Sequence, residues 1–369
     1  VTTYRYLLAD LRTNAILAEL PFTNVQFSKS LNSIGTMSGS LLITDLTEAA
    51  MNINAATIPG RNAIYIDRNG EIIWGGVIWS RTYEGSSQHI QISAREFLSY
   101  FERRRITTDS VYTAAEMFTI IQDLFTNAQG ADGDPGNIGL NVDLGTSGVA
   151  ITKNYYAYEL KTVYSALQDL SRAAYNTGFD YRVDLAYDGG GGITKTLNVG
   201  FPRLGRVYSD SDVNVPVFEY PAGNVVTYEY PENASAAANK VWVSGGGSNE
   251  GKLIASATNT DYLTAGWPLL EENANYSDIF DSTVLSDLAQ GQLDAIVYPP
   301  VTLKIVAPAY TDPQLGSFEV GDDVRIRIRD PYFANGLDST YRLVSQNVQV
   351  GENNQGELMT LTLSLPTGN

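Results

Sequence analysis

The sequence predicts a mainly β protein with an α+β middle module: two similar small β-barrels with helical and α+β insertions. Three observations carry this. Short apolar or alternating runs, each closed by turn residues, fill the first hundred positions. Helical periodicity begins only after about residue 105 and gives way to strands again beyond Pro221. One order of elements, glycine, strand, turn, long strand, glycine turn and strand, occurs twice. A chain of 369 residues also exceeds one ordinary core, so several domains are expected. Their boundaries fall at 1–105 for a first barrel and 106–222 for an α+β domain. A second barrel spans 223–369, with a peripheral insertion at about 250–300.

The elements follow in order. Tyr4 to Ala9, Ala15 to Leu20, Ser40 to Thr44, Ala63 to Asp67, Glu71 to Ser80 and His89 to Ala94 read as strands. Arg12-Thr13-Asn14, Pro59-Gly60, Asn69-Gly70 and Glu84-Gly85 read as their turns, Asn69-Gly70 being the strongest hairpin signal. Thr113-x-x-Glu116 reads as a capping box ahead of Met117, Phe118, Ile121, Leu124, Phe125 and Ala128 at helical spacing. A second helix runs from about Tyr158 through Leu160, Val163, Tyr164, Leu167, Ser171 and Ala174, with Gly178 closing it. Phe179 to Ala186 and Thr194 to Phe201 form a hairpin over Asp188 to Gly192. Val225 to Tyr230 and Lys240 to Ser244 are strands, and a helix starts near Ser282 and stops at Pro299-Pro300. Val301 to Val306, Asp323 to Arg329, Thr340 to Val350 and Glu357 to Leu365 close the chain as strands. The repeat aligns Gly60, the strand from Ile72 and Gly85 with Gly321, the strand from Tyr341 and Gly351.

Composition removes several function classes. No cysteine is present, which excludes disulfide scaffolds, thiolate metal sites and thiol nucleophiles. His89 is the single histidine, inside an alternating strand, so no multi-histidine metal site exists. It reads as a strand residue facing solvent or an interface. The charge is −17, and residues 1–105 hold 10 basic and 9 acidic side chains, so the acidity lies beyond them. Such a chain repels nucleic-acid backbones and anionic membranes, and no apolar run reaches the roughly 20 residues of a membrane span. Neither a specific nucleic-acid partner nor a membrane span is expected, and no N-terminal leader is visible. The 23 tyrosines, against 12 phenylalanines, suit surfaces that meet proteins or sugars.

Candidate sites are few. Asp132 to Asp143 has carboxylate spacing like a calcium loop, but Asn137 stands where glycine is needed and Pro135 stiffens it, so a plain turn is preferred. Gly189 to Gly192 and Gly245 to Ser248 lack the lysine of a phosphate loop and read as hairpin loops or linkers. Asp210, Asp212, Glu219, Glu229, Glu232, Glu271, Glu272, Asp278 and Asp281 are scattered carboxylates, and no local pattern marks a catalytic pair. Arg325, Arg327 and Arg329 alternate with Val324, Ile326 and Ile328, which puts three guanidinium groups on one strand face. Two readings stand for this row: a solvated face paired with Asp322, Asp323 and Asp330, or an interface for an acidic partner.

The order of parts, with Ile73-Trp74-Gly75-Gly76-Val77-Ile78, Ile92-Ser93-Ala94-Arg95-Glu96-Phe97-Leu98, Val225 to Tyr230, Ala238 to Val243 and Phe318 to Arg325, resembles the minor tail proteins that form the tail-tip (baseplate) hub of long-tailed bacteriophages. The resemblance spans essentially the whole chain and rests on pattern, not on a diagnostic motif. It implies a hub-like structural virion protein: a ring-shaped homotrimer whose two barrels per subunit present six to a sixfold tail tube. Implied partners are its own copies, the tail tube or distal tail protein, the tape measure protein and other minor tail proteins. The implied location is the virion tail tip, after synthesis in the host cytoplasm. No catalytic residue, cofactor or metal is expected, and Arg325, Arg327 and Arg329 are the interface candidates. The sequence ends at Asn369 without the long C-terminal extension of some relatives, so receptor binding and peptidoglycan cleavage are not expected. The alternative is a carbohydrate-binding or carboxylate-dependent cell-wall-degrading β protein.

Overall fold

The computed structural model describes residues 2–44, 52–142, 144–171, 178–208, 212, 214–277, 279–296, 302–351 and 356–365. The chain divides into two compact units. The larger holds residues 1–171, 179–228 and 305–369, and the smaller holds 172–178 and 229–304.

The larger unit opens with β1 (Tyr4–Asp10), β2 (Ile16–Glu19), β3 (Thr23–Ser30) and β4 (Thr36–Leu42). After α1 (Ile53–Ala56) come β5 (Asn62–Arg68), β6 (Glu71–Glu84), β7 (His89–Glu96) and α2 (Leu98–Phe101). The middle module supplies β8 (Ser110–Glu116), α3 (Met117–Gln129), β9 (Leu140–Asn141), β10 (Ala150–Tyr155), α4 (Val163–Ser171), β11 (Asp180–Tyr187) and β12 (Ile193–Gly200). β13 (Val217–Tyr220) and β14 (Thr227–Glu229) lead into the smaller unit. There β15 (Lys240–Ser244), β16 (Ile254–Thr258), α5 (Thr260–Thr264), β17 (Glu271–Asn275) and α6 (Ser282–Ile296) form a three-stranded sheet with a helix packed on it. β18 (Thr302–Pro308) leads back to β19 (Asp323–Ile328), β20 (Leu337–Gln349) and β21 (Leu358–Ser364).

One 13-stranded sheet runs β14-β18-β21-β20-β3-β4-β7-β6-β5-β1-β2, with β19 also on β20 and β13 on β19. The two expected barrels are therefore not closed; they are two halves of one sheet. The physical reason lies in β20. Its residues 337–342 pair with β19, but its residues 345–349 pair with β3 of the other half. An edge that barrel closure would use is spent on joining the halves.

The repeated order is real at the level of register. β5-β6-β7 and β19-β20-β21 are both antiparallel meanders. In the first, the register slips between Ile78 and Ser80, leaving Trp79 as a bulge; in the second it slips between Leu343 and Ser345, leaving Val344. Five pairs follow each bulge. Gly60 donates its N–H to Ile78 O at 2.7 Å, and Gly321 donates to Leu343 O at 2.7 Å. Both glycines take positive φ, 72° and 101°, which lets the chain turn tightly into the meander where a side chain would be strained. The outer strands differ: β1 is antiparallel to β5, whereas β13 is parallel to β19.

The core follows the alternation. Trp74 is fully buried and its Nε1 donates to Ser28 O at 2.9 Å, so a polar tip is satisfied by β3. Gly76 leaves room for it, since a Cβ there would lie 2.8 Å from the Trp74 ring and 2.2 Å from Arg95 O, and a Cβ on Gly75 would meet the Tyr65 ring at 2.6 Å. Phe97, Phe101, Ile121 and Phe125 join β5 and β6 residues to the middle-module helices in one core cluster. The helix expected from Met117 is present, but Thr113 is not its cap. Glu116 is, accepting Thr119 N–H at 2.9 Å, because residues 110–116 are held as a strand by β10. The second helix starts at Val163, after a short 3-10 turn at Ala157–Glu159, later than expected; Ala174 lies outside the described residues.

Candidate assembly surfaces

Strand alternation buries Val324, Ile326 and Ile328 in the larger unit and turns Arg325 and Arg327 to the opposite face. The register sets Arg327 opposite Asp338 and Arg325 opposite Thr340. Asp338 is thus a direct neighbour of one arginine and a diagonal neighbour of the other. Arg325 Nε reaches Asp338 Oδ1 at 2.6 Å and Nη2 reaches Oδ2 at 3.1 Å, while Arg327 Nε stands 3.4 Å from Oδ2. The Arg325 guanidinium holds the Asp338 carboxyl below its ordinary value. Arg329 lies beyond the end of β19, exposed, with its backbone N–H on Tyr220 O.

The carboxylates expected to pair with this row do not. Asp322 binds Arg206, its Oδ2 accepting from Nε at 2.9 Å, and Asp323 binds Arg203. Both carboxylates are buried and belong to the seam between β19 and the segment after β12. Asp330 accepts from Tyr228 Oη and from the N–H groups of Tyr332 and Phe333, closing the turn after β19. Asp338 was the residue missed. Counting back from Arg327 through a turn at Asp330 to Gly336 would have placed it opposite.

Several of the remaining candidates make local hydrogen bonds. His89 is half-buried at the start of β7, with Nδ1 2.7 Å from Ser87 O. In the calcium-like loop, Asp134 accepts Ala131 N–H at 2.9 Å, and Asn137 donates to Ala131 O and Asp132 at 3.2 and 3.3 Å. It is a hydrogen-bonded turn; Asp143 lies outside the described residues. Among the described residues no three histidine or carboxylate side chains are grouped to hold a metal. Asp188 accepts from Gly190 and Gly192 N–H, which makes that glycine run a hairpin loop. Glu271 accepts from Trp242 Nε1, and Asp281 accepts from Thr283 and Val284 N–H at the start of α6. Asp210 and Asp278 lie outside the described residues. Among the described residues, no helix is long and apolar enough to cross a membrane.

No family model and no curated protein sequence matches the chain. Solved structures do. The 43 kDa tail protein of prophage MuSo2 from Shewanella oneidensis is similar with a TM-score of 0.63 at 15% identity, covering 99% of both chains. A tail protein from Neisseria meningitidis gives 0.60 at 14% identity, covering 98% of this chain and 96% of that one. This chain has the fold of a phage tail protein. A chain in the Francisella PdpA–VgrG complex is similar too, with a TM-score of 0.60 at 10% identity, over 100% of this chain and 59% of that one. The tail-protein fold therefore extends over the full length, both meanders included.

Proposed function

We propose that this chain is a structural component of a phage-type tail: the tail-tip hub, a ring-shaped homotrimer that joins a sixfold tube to a threefold tip. The repeated meander carries the reading. A threefold ring meets a sixfold partner when each subunit offers two near-equivalent surfaces, and β5-β6-β7 and β19-β20-β21 share order, bulge and glycine hydrogen bond. Its partners are then further copies, the tube or distal tail protein, the tape measure protein and other minor tail proteins, in the virion. Its work is assembly and not catalysis. Light scattering on the purified protein is expected to give the mass of three chains. A single-chain mass under all conditions overturns the reading, as does turnover of cell-wall polysaccharide that one Asp or Glu substitution abolishes.

Within this reading, Arg325, Arg327 and Arg329 contribute to a contact with an acidic surface of a neighbouring subunit or of the tube. Asp338 engages Arg325 and stands 3.4 Å from Arg327, Arg329 is exposed beyond the strand, and arginine suits a two-pronged carboxylate contact. Arg327→Ala is expected to leave folding within about 1 kcal/mol, since its pair is exposed. Assembly of the variant, followed against salt, should weaken most at low ionic strength; an unchanged salt profile removes the row from the interface.

A further inference from the structure

The register repeat makes the two halves comparable residue by residue, and one difference between them is unaccounted for. Aligned on their bulges, Ser345 to Gln349 of β20 correspond to Ser80 to Glu84 of β6. On β20 this stretch has β21 on one side and β3 on the other. On β6 it has β7 on one side, and among the described residues no strand on the other, because pairing with β5 ends at Ala63 opposite Val77. Exposure follows: Val348 under β3 is 0% exposed, whereas Tyr83 at the matching position is 56% exposed.

The occupant can be read from the same comparison. β3 pairs with β4, which pairs with β7; in the second half β14 pairs with β18, which pairs with β21. β14 thus holds the place of β3, and it ends the sheet order. We propose that the edge Arg81–Glu84 of one copy, open among the described residues, receives β14 (Thr227–Glu229) of a second copy, repeating between chains the β20·β3 junction made within the chain. The proposal rests on the ring reading and gives it an interface. It is a head-to-tail contact, which closes into a ring when the rotation allows, and backbone pairing along an edge is a recurrent mode of strand docking. It also removes an exposed edge that would otherwise template aggregation. Arg81 does not spend its guanidinium on a neighbouring strand: it donates to Asn54 O and Thr57 Oγ1, in and just after α1, at 2.7 and 2.9 Å.

Hydrogen-bond parity selects the variant. Leu31 N–H on Val344 O and Val350 N–H on Val25 O show that alternate residues 344, 346, 348 and 350 face β3. Tyr83, matching Val348, therefore aims its N–H at the open edge. Tyr83→Pro deletes that donor without removing a β7 bond, a position where proline is tolerated. The expected result is a shift from three-chain to one-chain mass with an unchanged circular dichroism spectrum. If Tyr83→Pro keeps the three-chain mass, the edge proposal fails and the hub stands; if the unmodified protein is itself a single chain, the hub fails. A second measurement does not depend on how proline is accommodated. The cysteine-free chain allows Thr82→Cys and Thr227→Cys to be bridged by a short bismaleimide. Covalent dimers and trimers are expected only when both cysteines are present, and their absence in a trimer of that double variant overturns the docking.

Discussion

Arg68→Ala is expected to cost the larger unit about 3–5 kcal/mol, the range for breaking a buried ion pair by removing one partner. Arg68 and Glu357 are 5% and 6% exposed, and Nη2 lies 2.9 Å from Oε2. The guanidinium also donates to Leu315 O and Ala309 O at 2.9 and 3.0 Å, so it ties β5 to the segment before β19. Glu357 accepts from Tyr4 Oη as well. Alanine leaves a buried carboxylate and two carbonyls without their donor. The double replacement Arg68→Met with Glu357→Met should recover most of the loss, because two packed apolar side chains need no mutual charge. Urea unfolding followed by near-ultraviolet circular dichroism measures both. A loss below 1 kcal/mol in the single variant would show that water reaches the carboxylate.

Glu96→Gln is expected to act in the opposite direction and only at high pH. Glu96 shares a cluster with Lys29, Glu319 and Asp184, and burial pushes its carboxyl up to about 7, against the pull of Lys29 and the Gly35 N–H. Lys29 itself is committed to Glu319 at 2.8 Å. A carboxyl raised in the folded state binds more protons folded than unfolded between its ordinary value and about 7, so stability falls as pH rises through that window. Glutamine removes the dependence. At pH 8 the variant should be more stable by about 3 kcal/mol, and near pH 5 the two proteins should differ by less than about 1 kcal/mol. A difference independent of pH would mean that Glu96 stays charged throughout.

Much of this architecture could be read before the structure because it rests on local periods: the meanders, the hairpin over Asp188 to Gly192 and the helices at Met117 and Ser282 all lie where apolar spacing put them. β3 escaped. Its inward positions are Val25, Phe27 and Lys29, and a lysine on the core side hides the alternation. That lysine is satisfied by Glu319, 290 positions away, and no window along the sequence contains both. Missing β3 concealed the β20·β3 junction, and with it the reason the barrels stay open. Arg325 and Arg327 share one strand face while Arg329 lies beyond the strand end, and their carboxylate came from the partner strand, where register and not neighbourhood decides. Thr113 failed as a cap for a related reason, since pairing with β10 outweighed a local motif.

The link between β3 and β4 is the short segment 31–35, while its counterpart between β14 and β18 is the long segment 230–301, which makes up most of the smaller unit. In the proposed ring, the framework would recur six times and that insertion only three. A substitution in the meanders would have to suit two settings, whereas one in the insertion would meet a single setting. The insertion is then where such a protein can diversify, its two ends held on adjacent strands, while the ring geometry stays fixed.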